Sequence, residues 1–195
     1  MCGFRQLILA AALIASVAAR AAGAVRVGDP APNFRLMDIY DRWYQLSEYR
    51  GSVVLLDLVE YGCNRCVTAA PAVELLWQEY GTTGHFQVLG LETYDGSITV
   101  VQQFIETTGV TFPVLRDAGY LQAACTPPCD YSYGLEYDNF VVVDMQGIVR
   151  YTSDNRPYGA LYGRYDSRAI RAAIEASLPT AVEGRSWSVV KRLFQ

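Results

Sequence analysis

Apolar residues in this chain are grouped in short blocks with two kinds of spacing. Ser52–Glu60 (SVVLLDLVE) and Phe86–Thr93 (FQVLGLET) are nearly continuous apolar runs, typical of strands that are buried on both faces. Cys66–Tyr80 and the segment from Ile98 to Gly109 instead have apolar residues three and four positions apart, which predicts a helix after each strand. The order strand, helix, strand, helix predicts an α/β domain with parallel strands.

Shorter patterns on both sides of this unit predict further elements. Leu36–Leu46 has apolar and aromatic residues around the polar pair Asp41 and Arg42, which predicts a β-hairpin. We also expect a strand at Thr111–Leu115, a short helix at Gly119–Ala124, a second hairpin from Phe140–Asp144 and Ile148–Thr152, and a closing helix at Ser167–Leu178 with Ser167 as its N-cap.

The first 24 residues have the layout of a cleaved secretory signal. Arg5 precedes an apolar run from Leu7 to Ala19, and small residues up to Ala24 follow it. Arg20 interrupts the run before it reaches the roughly 20 residues that a membrane span needs. We therefore expect an exported protein, periplasmic or extracellular, whose mature part does not span the membrane; an amphipathic helix kept in the mature chain is the alternative.

Removal of this segment changes the charge and the cysteine count. It takes away two arginines and no acid, so the formal charge falls from −4 to −6, which makes nucleic acid an unexpected partner. With 195 residues, the chain is long enough for one domain, which we place at 25–178. A tail at 179–195 contains a short amphipathic stretch that docks either on the domain or on a partner.

Four of the five cysteines remain in the mature chain, as the pairs Cys63 and Cys66, and Cys125 and Cys129. Cys63 falls between the predicted strand and helix, where unpaired backbone amides and the helix dipole favour a thiolate over a thiol. Cys66 is one helical turn deeper and can attack a mixed disulfide that forms at Cys63. A bare C-x-x-C is also compatible with half a zinc site or a structural disulfide.

The surroundings of this pair resemble the thioredoxin superfamily, and more closely its exported thiol-disulfide oxidoreductase branch with redoxin or TlpA-like domains. The similar features are Asp57 in the strand, Pro71 five residues after Cys66, and the segments GDPAPNFRLMD, TFPVLRDAG and FVVVDMQGIVRY. The resemblance implies an α/β thioredoxin-like fold, a central mixed β-sheet flanked by helices, with an N-terminal β-hairpin extension. It also implies a thiol-disulfide oxidoreductase that acts on protein disulfides or thiols, uses a membrane or periplasmic electron donor and needs no cofactor.

The resemblance further implies that Asp57 is a buried acid that exchanges a proton with Cys66. Burial supports this role, because a carboxyl group in an apolar strand has a raised pKa and is a plausible general base. The alternative is an aspartate at a frayed strand end that contacts water.

Three departures from the family pattern affect these expectations. Tyr61-Gly62 stands where the family has a tryptophan before the first cysteine. Asp138-Asn139 stands where the family has a cis-proline. Without that proline, substrate docking is not guaranteed and room is left for a metal. Peroxiredoxins have a threonine three residues before the reactive cysteine, where this chain has Glu60, which argues against peroxidase activity.

The second cysteine pair leaves several possibilities open. We favour a structural disulfide between Cys125 and Cys129 that fixes a proline-containing loop, with a second redox pair as the alternative. All four cysteines together also have the ligand count of a zinc or iron-sulfur site. Oxidoreductase activity is therefore weighed against a metal- or partner-binding thioredoxin-like module without redox turnover.

Overall fold

A computed structural model describes residues 25–94, 96–117, 133, 135, 138–153 and 165–179. In these ranges the chain forms a seven-stranded sheet and three α-helices. The strands are β1 (Arg35–Asp38), β2 (Trp43–Gln45), β3 (Val53–Val59), β4 (Phe86–Glu92), β5 (Val114–Arg116), β6 (Asn139–Val143) and β7 (Val149–Thr152), and the helices are α1 (Asn64–Tyr80), α2 (Ile98–Thr108) and α3 (Ser167–Ser177).

The sheet is mixed, with the strand order β2-β1-β5-β4-β3-β6-β7. The pairs β3-β4 and β4-β5 are parallel, because α1 and α2 carry the chain back between successive strands. The other neighbouring pairs are antiparallel, including the N-terminal hairpin of β1 and β2. The mixed sheet with an N-terminal hairpin is the arrangement that the resemblance to the thioredoxin superfamily implied.

Strand β3 lies between β4 and β6, and its seven residues are all buried. Val53, Leu55 and Val59 belong to the apolar core that includes residues of α1, α2 and α3. Leu56 and Leu58 point to the opposite face, into a second core that the N-terminal segment and Tyr133 help to cover. The helices of the described ranges therefore pack on one face of the sheet, and that face holds the site described below.

Several element ends differ from the sequence prediction by one to three residues, and the largest shift has a clear physical cause. Strand β5 begins at Val114 rather than Thr111, because Pro113 has no N–H to donate to a ladder. The prediction of Ser167 as the cap of α3 is wrong: the cap is Asp166, whose carboxylate accepts hydrogen bonds from the N–H groups of Arg168 (3.1 Å) and Ala169 (3.0 Å).

Several predicted features lie outside the described residues. They are the signal segment 1–24, the short helix at Gly119–Ala124, the pair Cys125 and Cys129, and all but the first residue of the tail. Across the ranges that are described, no helix is both long enough and apolar enough to cross a bilayer.

Candidate active site

The cysteine pair lies at the start of α1, as the sequence predicted. Cys63 is the N-cap of the helix, and its Sγ accepts a hydrogen bond from the N–H of Cys66 at 3.1 Å. The two residues form a disulfide, with Cα atoms 5.3 Å apart. Since the first amides of a helix lack intrahelical acceptors, they stabilise negative charge on the sulfur at this position once the bond is reduced.

The two sulfur-bearing residues differ in exposure. Cys63 is 8% exposed and Cys66 is 2% exposed, so both are buried and Cys63 is the more accessible of the two. Even Cys63 is largely covered in this oxidised state, more than a readily accessible thiol would be. Half-buried Tyr61 packs against the apolar core that includes both cysteines.

Asp57 lies in the middle of β3 and is 2% exposed, which excludes the alternative of an aspartate at a frayed strand end. Its Oδ2 has no hydrogen-bond partner among the described residues. Burial, with the nearby charge of Asp138 as a smaller contribution, raises the pKa of Asp57 from 3.8 to about 8. At neutral pH its carboxyl group therefore holds a proton most of the time and can exchange it.

Asp138 is a further acidic residue at this site that the sequence analysis treated only as a missing proline. It directly precedes β6, is 2% exposed and has a left-handed backbone with φ of 62°. Its N–H donates a hydrogen bond to the carbonyl of Leu58 at 2.7 Å. Pairing of β3 with β6 thus brings the acid next to the dithiol, across about 70 residues of sequence.

The carboxylate of Asp138 forms an ion pair with Nε of Arg65 at 2.8 Å. Arg65 is one of the two residues between the cysteines, and its side chain is 52% exposed. Burial raises the pKa of Asp138, and the charge of Arg65 and its hydrogen bond partly oppose that effect. One carboxylate oxygen of Asp138 and the sulfurs of Cys63 and Cys66 all lie within 4.8 Å of one another.

Tyr165, just before α3, is another neighbour that sequence reasoning missed. Its ring meets Phe140 of β6 edge-on, with the ring centroids 5.3 Å apart. Burial raises the pKa of Tyr165, and the charge of Asp57 adds to this effect. The sequence between β7 and α3 carries no spacing signal, so only the folded chain reveals this proximity.

Comparison with known families agrees with this architecture. Residues 27–152, from the segment before β1 to the end of β7, match the AhpC/TSA family. The chain belongs to the AhpC/TSA family. Within this family match lie Cys63, Cys66, Asp57 and Asp138.

Relatives of this AhpC/TSA chain include thiol-disulfide oxidoreductases. The protein ResA of Oceanobacillus iheyensis is 35% identical over 96 residues, which is 47% of this chain and 49% of the relative. The thioredoxin-like protein YneN of Bacillus subtilis is 26% identical over 126 residues, 65% of this chain and 70% of the relative. The chain spans about half the length of the first of these relatives.

Solved structures give the same fold. A Chlorobium tepidum protein provisionally described as the thiol:disulfide interchange protein DsbE has a TM-score of 0.65 at 23% identity, covering 80% of this chain and all of that one. The thioredoxin domain of a Bacteroides vulgatus thiol-disulfide oxidoreductase has a TM-score of 0.61 at 16% identity, covering 76% and 96%. At these identities the similarity establishes a thioredoxin-like fold.

Proposed function

We propose that the protein is a thiol-disulfide oxidoreductase that exchanges electrons with disulfides of other proteins. The observation that carries the proposal is the disulfide of Cys63 and Cys66 at the amino end of α1, directly after the strand that holds the buried acid Asp57. The ResA relatives are named for the same activity, which supports it.

In the reductive direction the Cys63 thiolate attacks one sulfur of a substrate disulfide and displaces the other as a thiolate. Cys66 then attacks the Cys63 sulfur of the mixed disulfide, which releases the second substrate sulfur and restores the disulfide of this chain. Two electrons pass from the dithiol to the substrate, and the thiol protons end on the two substrate sulfurs. The same steps in reverse oxidise a substrate dithiol.

Asp57 is proposed as the general base that accepts the Cys66 proton. A base with a pKa of about 8 takes up and releases a proton with little cost near neutral pH. Its burial keeps bulk water from competing for that proton. The neutral carboxyl form predominates below pH 8, so we expect the proton-accepting step to become faster as the pH rises toward that value.

The proposal includes an exported location, periplasmic or extracellular, after removal of residues 1–24. The apolar run from Leu7 to Ala19 and the small residues up to Ala24 support it. Domain bounds of 25–178, with a tail at 179–195, are part of the same proposal, and so is a membrane or periplasmic electron donor. N-terminal sequencing of the secreted or periplasmic protein tests the cleavage after Ala24.

Reduction of insulin by dithiothreitol, with and without the protein, tests the activity. We expect Cys63→Ser to abolish acceleration, and Cys66→Ser to accumulate a mixed disulfide that is visible on non-reducing gels. A chain with Cys125→Ser and Cys129→Ser is the control, because a structural second pair predicts retained activity. Full insulin reduction by Cys63→Ser, or rapid consumption of hydrogen peroxide by the wild type without protein disulfides, would contradict the proposal.

A further inference from the structure

Three potential metal ligands converge at the candidate site. The sulfurs of Cys63 and Cys66 come from the start of α1, and the carboxylate of Asp138 comes from the segment before β6. All three residues are buried, and the three ligand atoms lie within 4.8 Å of one another. The disulfide occupies two of these atoms in the oxidised chain, so the set becomes available only on reduction.

The backbone holds Asp138 in this place at a cost. A positive φ is unfavourable for a residue with a Cβ, and burial of a carboxylate is expensive unless it is neutralised. Arg65 supplies one positive charge through its ion pair with Asp138, and the Arg65 side chain is half-exposed. Among the described residues, the cation paired with this carboxylate is therefore one half-exposed guanidinium group.

Reduction makes the local charge more negative. Cys63 and Cys66 then add two potential thiolates beside Asp138, and the buried Asp57 has an oxygen without a hydrogen-bond partner in the described chain. Two sulfurs and one oxygen are a ligand set that suits zinc, which binds thiolate at about 2.3 Å and carboxylate at about 2.0–2.2 Å. In a tetrahedral arrangement such distances separate neighbouring ligands by about 3.5–3.8 Å, which lies within the 4.8 Å limit that holds for the three atoms here.

We propose that the reduced protein binds Zn²⁺ through Sγ of Cys63, Sγ of Cys66 and a carboxylate oxygen of Asp138, with a fourth position open to water or another ligand. The ion replaces Arg65 as the cationic partner of Asp138. Zinc has no redox chemistry of its own, so binding transfers no electrons and displaces two thiol protons. Sulfurs that are bound to zinc do not form the disulfide, so the metal would keep the cysteine pair reduced.

The test uses the full chain with Cys2→Ser, Cys125→Ser and Cys129→Ser, which leaves one cysteine pair. A water-soluble phosphine reduces the disulfide under argon, giving up two electrons and becoming the phosphine oxide, and is then removed. Zn²⁺ affinity is measured by competition with a chromophoric chelator, and Co²⁺ is added separately to record thiolate-to-metal charge-transfer absorption. We expect one ion per chain in the reduced protein and none in the oxidised one.

Asp138→Asn is the decisive variant and Asp144→Asn is its matched control. Asp144 is also buried and ion-paired, with Nε of Arg150 at 2.6 Å, but it belongs to the β6-β7 hairpin. Loss of a ligand should weaken Zn²⁺ binding at least 10-fold in Asp138→Asn, since loss of even an outer partner costs 10–100-fold, and the control should bind like its parent. Asp138→His supplies another zinc ligand and should restore binding with a shifted Co²⁺ spectrum.

Other results would overturn the inference. If the reduced parent does not bind Zn²⁺, the site does not exist. If Asp138→Asn binds Zn²⁺ with the affinity of the parent, Asp138 is not a ligand. If Asp144→Asn loses as much Zn²⁺ affinity as Asp138→Asn, the loss is due to weakened folding, and the proposal also fails. Because no disulfide substrate is present, these outcomes are independent of insulin reduction, and either proposal can fail alone.

Discussion

Replacement of Asp57 by asparagine is the most direct test of how burial controls the acid at this site. Ionisation of Asp57 occurs at about pH 8 in the folded protein, against 3.8 for an exposed aspartate. Between these two values the unfolded chain carries the charge and the folded chain carries the proton. The folded state therefore has its full stability below about pH 4 and loses part of it as the pH rises toward 8.

The size of the effect follows from the two pKa values. Each pH unit between them is worth about 1.4 kcal/mol, so at pH 7 the buried carboxyl group costs the fold about 4 kcal/mol. An asparagine at this position has nearly the same shape and no charge to lose. We therefore expect Asp57→Asn to be more stable than the wild type at pH 7, and the advantage to shrink as the pH falls.

Urea unfolding of the oxidised wild type and of Asp57→Asn at pH 5 and pH 7 measures this linkage. The difference in the free energy of unfolding between the two proteins should grow by about 3 kcal/mol over these two pH units. Insulin reduction by the same variant should fall, because the proposed proton acceptor is lost. A stability difference that changes by less than about 1 kcal/mol between the two pH values would refute the assignment of a raised pKa to Asp57.

Three further predictions test other contacts. In the metal-free oxidised protein, Asp138→Asn should lower the pKa of Asp57, because the charge of Asp138 contributes to raising it. NMR measures this pKa from the carboxyl chemical shift of Asp57 as a function of pH. An unchanged titration midpoint of Asp57 would contradict the prediction. Asp166→Ala should cost about 1 kcal/mol of unfolding free energy through loss of the α3 cap, measured by urea unfolding, whereas Ser167→Ala should cost much less. Glu74→Ala should cost about 1–3 kcal/mol in the same assay, because this buried side chain accepts hydrogen bonds from the N–H and the hydroxyl of Thr111, both at 2.8 Å; an unchanged midpoint would contradict the contact.

Local patterns predicted most of the described helices and strands, whereas the mixed sheet was implied by the family resemblance. The unbroken apolar run of β3 and the three- and four-residue spacing of α1 each depend on neighbours in sequence, and both elements lie where they were expected. The position of Cys63 at the helix start follows from the same patterns. Burial of Asp57 could be predicted as well, because every residue around it in the strand is apolar.

The surroundings of the dithiol could not be predicted in the same way. Asp138 approaches the cysteines only because β6 pairs with β3 in one particular register, in which Leu58 lies opposite Asn139. No local pattern encodes that register or a positive φ at an aspartate. The cap of α3 was misplaced by one residue for a related reason, since Asp166 and Ser167 are both good caps and only the backbone of the folded chain decides between them.

The backbone at position 138 shows that this departure from the family pattern is more than an exchange of side chains. Proline has φ near −65° and no N–H, whereas Asp138 has φ of 62° and donates its N–H to Leu58. A proline could not take this position without moving the start of β6. In place of a proline ring the site has a buried carboxylate, and its ion pair with Arg65 connects the segment before β6 to the start of α1.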